Sequence, residues 1–195
     1  MAPRGACYVA TVDVRSLAPG LLVALPQLLD PNFKRTVVLL IHHDESGTFG
    51  LVLNRPSEIS SESLCSTLGI DWGGARADRV DWGGPVQPNT GWVLLGAEGA
   101  GDDEASEVAA GVYFAGSLAT LRRVAESPGD ELRLFLGYAG WGPGQLESEL
   151  AQGAWLLAPA NTDVIFHVER EILWEHVLRR LGIDPVTLVA TPGIH

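Results

Sequence analysis

Thr36-Val-Val-Leu-Leu-Ile-His42 is a β-branched apolar run, and Asp44-Glu-Ser-Gly47 and Phe49-Gly-Leu-Val-Leu-Asn54 follow it directly. Two apolar runs around a turn-forming tetrapeptide predict a β-hairpin with a loop of about four or five residues. In the first arm, Val37–Ile41 is apolar without alternation, as in a strand covered on both faces, so it should lie centrally in its sheet. His42 and His43 are neighbours on that strand. Their side chains point to opposite faces and cannot chelate one metal together. A metal would need Asp44 or Asp30 as well, and no metal site is expected.

Outward from the hairpin, Leu21–Leu25 is a short strand closed by Pro26, and Asp30-Pro31-Asn32 is a turn. Downstream, Ser60–Leu68 reads as a short helix with Ser60 or Ser61 as its cap and Gly69 as its stop. Arg79–Trp82, Trp92–Leu95, Val112–Ala115, Leu132–Gly137 and Ala154–Leu157 read as strands. Ser117 caps a helix carrying Leu118, Leu121 and Val124. Gln145–Gln152 is a helix, and Ile172–Leu181 is an amphipathic one ended by Gly182. The small, acidic stretch 98–111 reads as a mobile loop. Irregular alternation with hairpins predicts an α+β fold: a single compact domain, its sheet mostly antiparallel or mixed, flanked by several short helices. Residues 1–16 read as a flexible N-terminal segment and 17–190 as that one domain.

The chain has 195 residues and a formal net charge of -11, from 13 Lys+Arg against 24 Asp+Glu. A duplex-binding surface needs clustered cations. Here the densest clusters are Arg76/Arg79, Arg122/Arg123 and Arg179/Arg180, the last two among acidic neighbours on helices, so direct nucleic-acid binding is disfavoured. Cys7 and Cys65 show no metal-ligand or redox spacing. The N-terminus lacks a signal peptide's apolar core, and Leu21–Leu25 is too short to span a bilayer. A cytoplasmic location away from membranes is the expectation.

Five segments in series carry a resemblance. They are Gly20-Leu-Leu-Val-Ala-Leu-Pro26, Asp30-Pro-Asn-Phe33, Gly50-Leu-Val-Leu-Asn-Arg-Pro56, Gly83-Gly-Pro-Val86 and Leu136-Gly-Tyr-Ala-Gly-Trp-Gly-Pro-Gly-Gln-Leu-Glu147, trailed by Ala154-Trp-Leu156. Together they resemble the AlgH/YqgE family over nearly the whole chain. The resemblance implies a compact α+β fold and a label of transcriptional regulation without an established chemistry. Two positions depart from the family pattern: His42-His43 stands where Glu-His is usual, and Leu95 where the strand usually ends in His.

The candidate binding residues are Asn54, Arg55 and Pro56 at a strand exit, Gly84 and Pro85 in the Gly-Gly-Pro turn, and Tyr138, Gly140, Trp141, Gly144 and Gln145 in a glycine-rich connection. That connection lies between a strand and a helix, so free N–H groups could converge on an anion there. It matches neither nucleotide-binding glycine pattern. Equally, it serves as a tight connection with Trp141 packed inward and Pro143 opening the helix. Arg55 would add a cation if the two loops were adjacent.

No cofactor is expected, and Ser117 lacks the G-x-S-x-G setting of a nucleophile. The leading reading is a regulatory or adaptor protein that binds a protein partner or small anionic ligand through Asn54–Pro56 and Gly137–Gln145. A second is an enzyme acting on a small anionic substrate, for which only Arg55, His43 and Glu147 can be nominated. A third, direct DNA contact, has only the family label behind it.

Overall fold

The structure is a computed structural model that describes residues 17–189 apart from 76–77 and 102–103. Cys7 and the leader lie outside the described residues. The expected hairpin is there: β2 (Val37–Asp44) pairs with β3 (Gly47–Val52), and β1 (Gly20–Ala24) lies on the other side of β2. Its loop is only Glu45–Ser46, because Asp44 and Gly47 already face each other in the ladder. β2 is thus internal, and Val37 to Leu40 are fully buried.

Period-2 alternation explains the unbroken apolar run. Leu21, Val23, Val37, Leu39, Leu51 and Leu53 enter one core, whereas Leu22, Ala24, Val38, Leu40 and Val52 enter a second on the opposite face.

The remaining strands are β4 (Pro56–Ser60), β5 (Arg79–Trp82), β6 (Val86–Gly96), β7 (Ser106–Ala109), β8 (Val112–Ala115), β9 (Leu132–Trp141) and β10 (Trp155–Ala158). They form one curled ten-stranded sheet in the order β10-β1-β2-β3-β9-β6-β8-β7, with β5 joined to β4 and to β9. Among the described residues only the β5–β9 pairing is parallel. Among the described residues six α-helices cover it: α1 (Ser61–Thr67), α2 (Leu118–Glu126), α3 (Gln145–Ala151), α4 (Thr162–Phe166), α5 (Leu173–Arg180) and α6 (Pro185–Val189). The caps are those the sequence predicts. Ser60 accepts from the Ser63 N–H and Ser117 from the Thr120 N–H. Helix α5 supplies Leu173, Trp174, Val177 and Leu178 to the first core, α3 supplies Leu146 to the second, and a third core lies under α1 and α2.

Two further sequence expectations are corrected. Gly137–Trp141 is strand, not loop: β9 continues through it, with Thr48 opposite Trp141, Phe49 opposite Gly140 and Gly50 opposite Ala139. Within 98–111, Ser106–Ala109 forms β7 by pairing with β8, so neighbouring strand edges override the weak local propensity. Strand β4 and helices α4 and α6 carry too few residues to show a period.

Candidate functional site

The nominated residues separate into three places. Asn54 is used by the fold: its Oδ1 accepts from the Val37 N–H at 2.9 Å, and its Nδ2 donates to the Arg35 carbonyl at 2.8 Å. It therefore pins the entry of β2 to the exit of β3. Pro56 opens β4 and is exposed. Arg55 Nη2 donates to the Lys34 carbonyl at 2.6 Å.

Gly84 and Pro85 adjoin β9 instead. Gly84 has φ +153°, and a Cβ there would lie 2.1 Å from the Tyr138 carbonyl carbon. Gly137, at φ +71°, would bring a Cβ within 2.3 Å of the Gly84 oxygen. The two backbones touch, so this pair of glycines is required by packing.

Tyr138 and Trp141, three residues apart on β9, face opposite sides of the sheet. Tyr138 joins Phe49, Trp92 and Phe114 in a half-buried aromatic cluster, with the Phe49 ring 4.7 Å away. Its ring lies against Gly140. Trp92 Nε1 is buried there without a hydrogen-bond partner among the described residues.

Trp141 lies in a closed brace on the other face. Its Nε1 donates to Glu149 Oε2 at 3.0 Å, Trp155 Nε1 donates to the same oxygen at 2.8 Å, and Gln145 Nε2 donates to Glu149 Oε1 at 2.9 Å. Phe33 stacks on Trp141 and meets Trp155 edge-on. At the start of α3, Gly144 takes the left-handed conformation, and the Gly142 N–H is capped by Gln145 Oε1 at 3.0 Å. The chain's own glutamine therefore occupies the place proposed for an anion.

Register decides the adjacency of the two loops. Trp141 is opposite Thr48, and Asn54 lies six residues further along the chain, roughly 20 Å of extended strand. The two connections leave opposite ends of β3 and do not share a cleft there. The Asp30–Arg35 turn links them, with Lys34 under Arg55 and Phe33 under Trp141.

His43 and Glu147 do come together, with Nε2 and Oε1 3.6 Å apart, while Thr48 Oγ1 lies 2.7 Å from His43 Nδ1. The His43 side chain is only 3% exposed. His42 points outward, as the alternation requires, to Asp44 at 2.7 Å. Ser46, foremost, and His42 hold the Asp44 carboxyl well below the usual carboxylate range.

Two features escaped the sequence reading. Asp81, fully buried, binds two guanidiniums: Arg133 through Nη2 at 2.6 Å, and Arg170 through Nε at 2.6 Å and Nη2 at 3.0 Å. Burial pushes the Arg133 pKa down against the pull of Asp81. For Arg170, burial acts the same way but the hydrogen bonds to Asp81 and its attraction prevail, so that pKa lies above its usual value.

The second is a cleft of about 390 Å3 between the Pro26–Arg35 connection, Trp174 of α5 and Leu188 of α6. Its apolar side includes Leu25, Leu28 and Leu29, the last 89% exposed. Its polar rim is Lys34 and Arg35. Arg35 has φ +56°, a left-handed conformation unusual for a non-glycine residue, and places its guanidinium 4.6 Å over the Trp174 ring. Trp174 Nε1 donates to the Ala24 carbonyl at 2.8 Å, and Glu175 lies 3.5 Å from Arg35. Spacing alone could not find this site, since it joins positions about 140 residues apart. Among the described residues, no three His, Cys, Asp or Glu side chains are grouped to hold a metal, and no helix is long and apolar enough to cross a membrane.

Comparison with known proteins agrees with the sequence resemblance. A family model described as AlgH-like matches residues 21–186. A UPF0301 protein of Myxococcus xanthus is 42% identical over 184 residues, covering 93% of this chain and 100% of the relative. One from Ruegeria pomeroyi is 39% identical over 180 residues, covering 91% and 98%. The solution structure of the AlgH protein from Pseudomonas aeruginosa is similar over 100% of both chains, with a TM-score of 0.73 and 31% identity. A crystal structure of a Corynebacterium diphtheriae protein gives 0.69 at 28% identity, over 88% and 89%. From the first buried strand to α6, the chain belongs to the AlgH-like family.

Proposed function

We propose that this chain is a regulatory or adaptor protein that docks a protein partner, and that the Lys34–Arg35 cleft is its docking surface. The observation that carries the reading is a cationic rim over an apolar floor on an acidic chain. In this neighbourhood Lys34, Arg35, Arg55 and Arg179 stand against Asp30 and Glu175, an excess of two positive charges where the whole chain carries -11. The Lys34 ammonium has no partner among the described residues. Leu29 is presented to solvent beside it. Such a surface complements a segment that carries carboxylates next to aliphatic side chains. The other nominated polar groups, Asn54 and Gln145 among them, are engaged within the fold.

Enzymatic chemistry would draw on His43 and Glu147, but His43 is enclosed and gives a substrate no access. Two surplus cations fall well short of the roughly 6–10 phosphate contacts of a duplex-binding protein. A photo-crosslinker at Leu29 tests the proposal in cells. The expected result is crosslinking to an acidic, aliphatic segment of a partner, lost in Lys34→Glu/Arg35→Glu with the fold unchanged. Equal crosslinking by the charge-reversed protein would overturn it.

A further inference from the structure

We infer that a second cavity, between α1, β5 and the segment before α5, binds a small zwitterion of the α-amino acid class. Its volume of about 480 Å3 is within the usual range of small-molecule sites, roughly 300–1,000 Å3. Ser61, Asp78, Arg79, Asp130, Arg170 and Glu171 supply its polar lining, and Trp72 and Pro128 part of its apolar one.

Two independent observations point to a ligand. The first is Arg170. Asp81 fixes its guanidinium through Nε and Nη2, leaving Nη1 without a hydrogen-bond partner among the described residues, on a side chain one-third exposed. Arg133 shares the same carboxylate, so Asp81 does not neutralise both guanidiniums, and the remaining counter-charge on Arg170 comes from the more distant Asp78 and Glu171. A guanidinium held in place this way is prepared for a carboxylate. The second is Ser61, which is 2% exposed and lines the cavity. Its backbone N–H is bonded to the Asp78 carbonyl, while its hydroxyl has no partner among the described residues. Its oxygen is not among the enclosed unpartnered atoms, Trp92 Nε1 and His176 Nε2, so it keeps contact with solvent and can take a ligand oxygen in place of water.

The charge of the lining selects the class. Arg79 and Arg170 stand against Asp78, Asp130 and Glu171 among the described lining residues. That balance disfavours a dianion such as inorganic phosphate. It suits a carboxylate that brings its own ammonium: the carboxylate on Arg170 and Ser61, the ammonium towards the acidic rim, and an apolar side chain against Trp72.

The site is separate from the Lys34–Arg35 cleft, so either proposal can fail alone. Calorimetric titration of the full chain with each of the twenty free amino acids tests it. Inorganic phosphate and the N-acetyl and amide derivatives of the best binder serve as comparators. Saturable binding by a free amino acid is expected, about tenfold weaker for each blocked derivative and five- to tenfold weaker in Ser61→Ala, which removes no hydrogen bond of the fold. Lys34→Glu/Arg35→Glu should leave this binding intact. The inference is overturned if no free amino acid binds at millimolar concentration, if phosphate binds as well, or if Ser61→Ala binds equally.

Discussion

Two tryptophans, each beside a charged side chain, illustrate opposite uses of the same chemistry. Around Trp141 the side-chain polar groups of the brace are engaged within the chain: Glu149 accepts from two indoles and one glutamine, and Phe33 closes the apolar side. Around Trp174 the indole N–H is also internal, but the ring face carries Arg35, the Lys34 ammonium beside it has no partner among the described residues, and Leu29 is left in water. A group whose partners are all internal serves stability. A left-handed Arg35 set beside an unengaged Lys34 ammonium and an exposed Leu29 suits contact with something outside, which is the physical reason for proposing function at the second place.

The comparison is broken most severely at its closed end. Asp81→Ala would strand two guanidiniums, one of them wholly buried, and should cost about 3–5 kcal/mol in urea unfolding. Next comes Glu149→Ala, which leaves two indole N–H groups without an acceptor. A loss of about 2 kcal/mol is expected, with an altered tryptophan emission spectrum.

At the open end the effect on stability should nearly vanish. Arg35→Gly relieves the left-handed strain but loses the contact with Trp174, two terms of about 1 kcal/mol each and opposite sign. Unfolding within about 0.5 kcal/mol of wild type, together with lost crosslinking at Leu29, would sharpen the contrast between the regions. The smallest effect belongs to exposed Asp44. Its folded pKa is depressed, so its contribution is complete above the ordinary carboxylate value of about 3.9 and is lost as pH falls through the folded value. In Ser46→Ala the carboxyl resonance of Asp44 should titrate at higher pH, because the Ser46 hydroxyl is the main cause of the depression.

What could be read from sequence follows the range of the interaction concerned. The hairpin, the central position of β2, and the Ser60 and Ser117 caps were all legible, because each is set by residues within about one turn or one alternation. The continuation of β9 through Trp141 was not, because Gly137, Gly140 and Gly142 suggest a loop until β3 supplies a partner. The Asp81 cluster joins β5, β9 and the segment before α5, and nothing local marks Asp81 as buried. Arg55 contacts Lys34 rather than the glycines, a pairing between residues 21 positions apart that nothing local announces.

The most direct test of the docking surface is an amide-resolved NMR titration with a blocked synthetic peptide that alternates leucine with aspartate and glutamate. The account predicts shifts confined to Leu28–Arg35 and the Trp174 indole, weakened by salt and abolished in Lys34→Glu/Arg35→Glu. Shifts centred on Tyr138 and Trp92, or none at millimolar peptide, would contradict it.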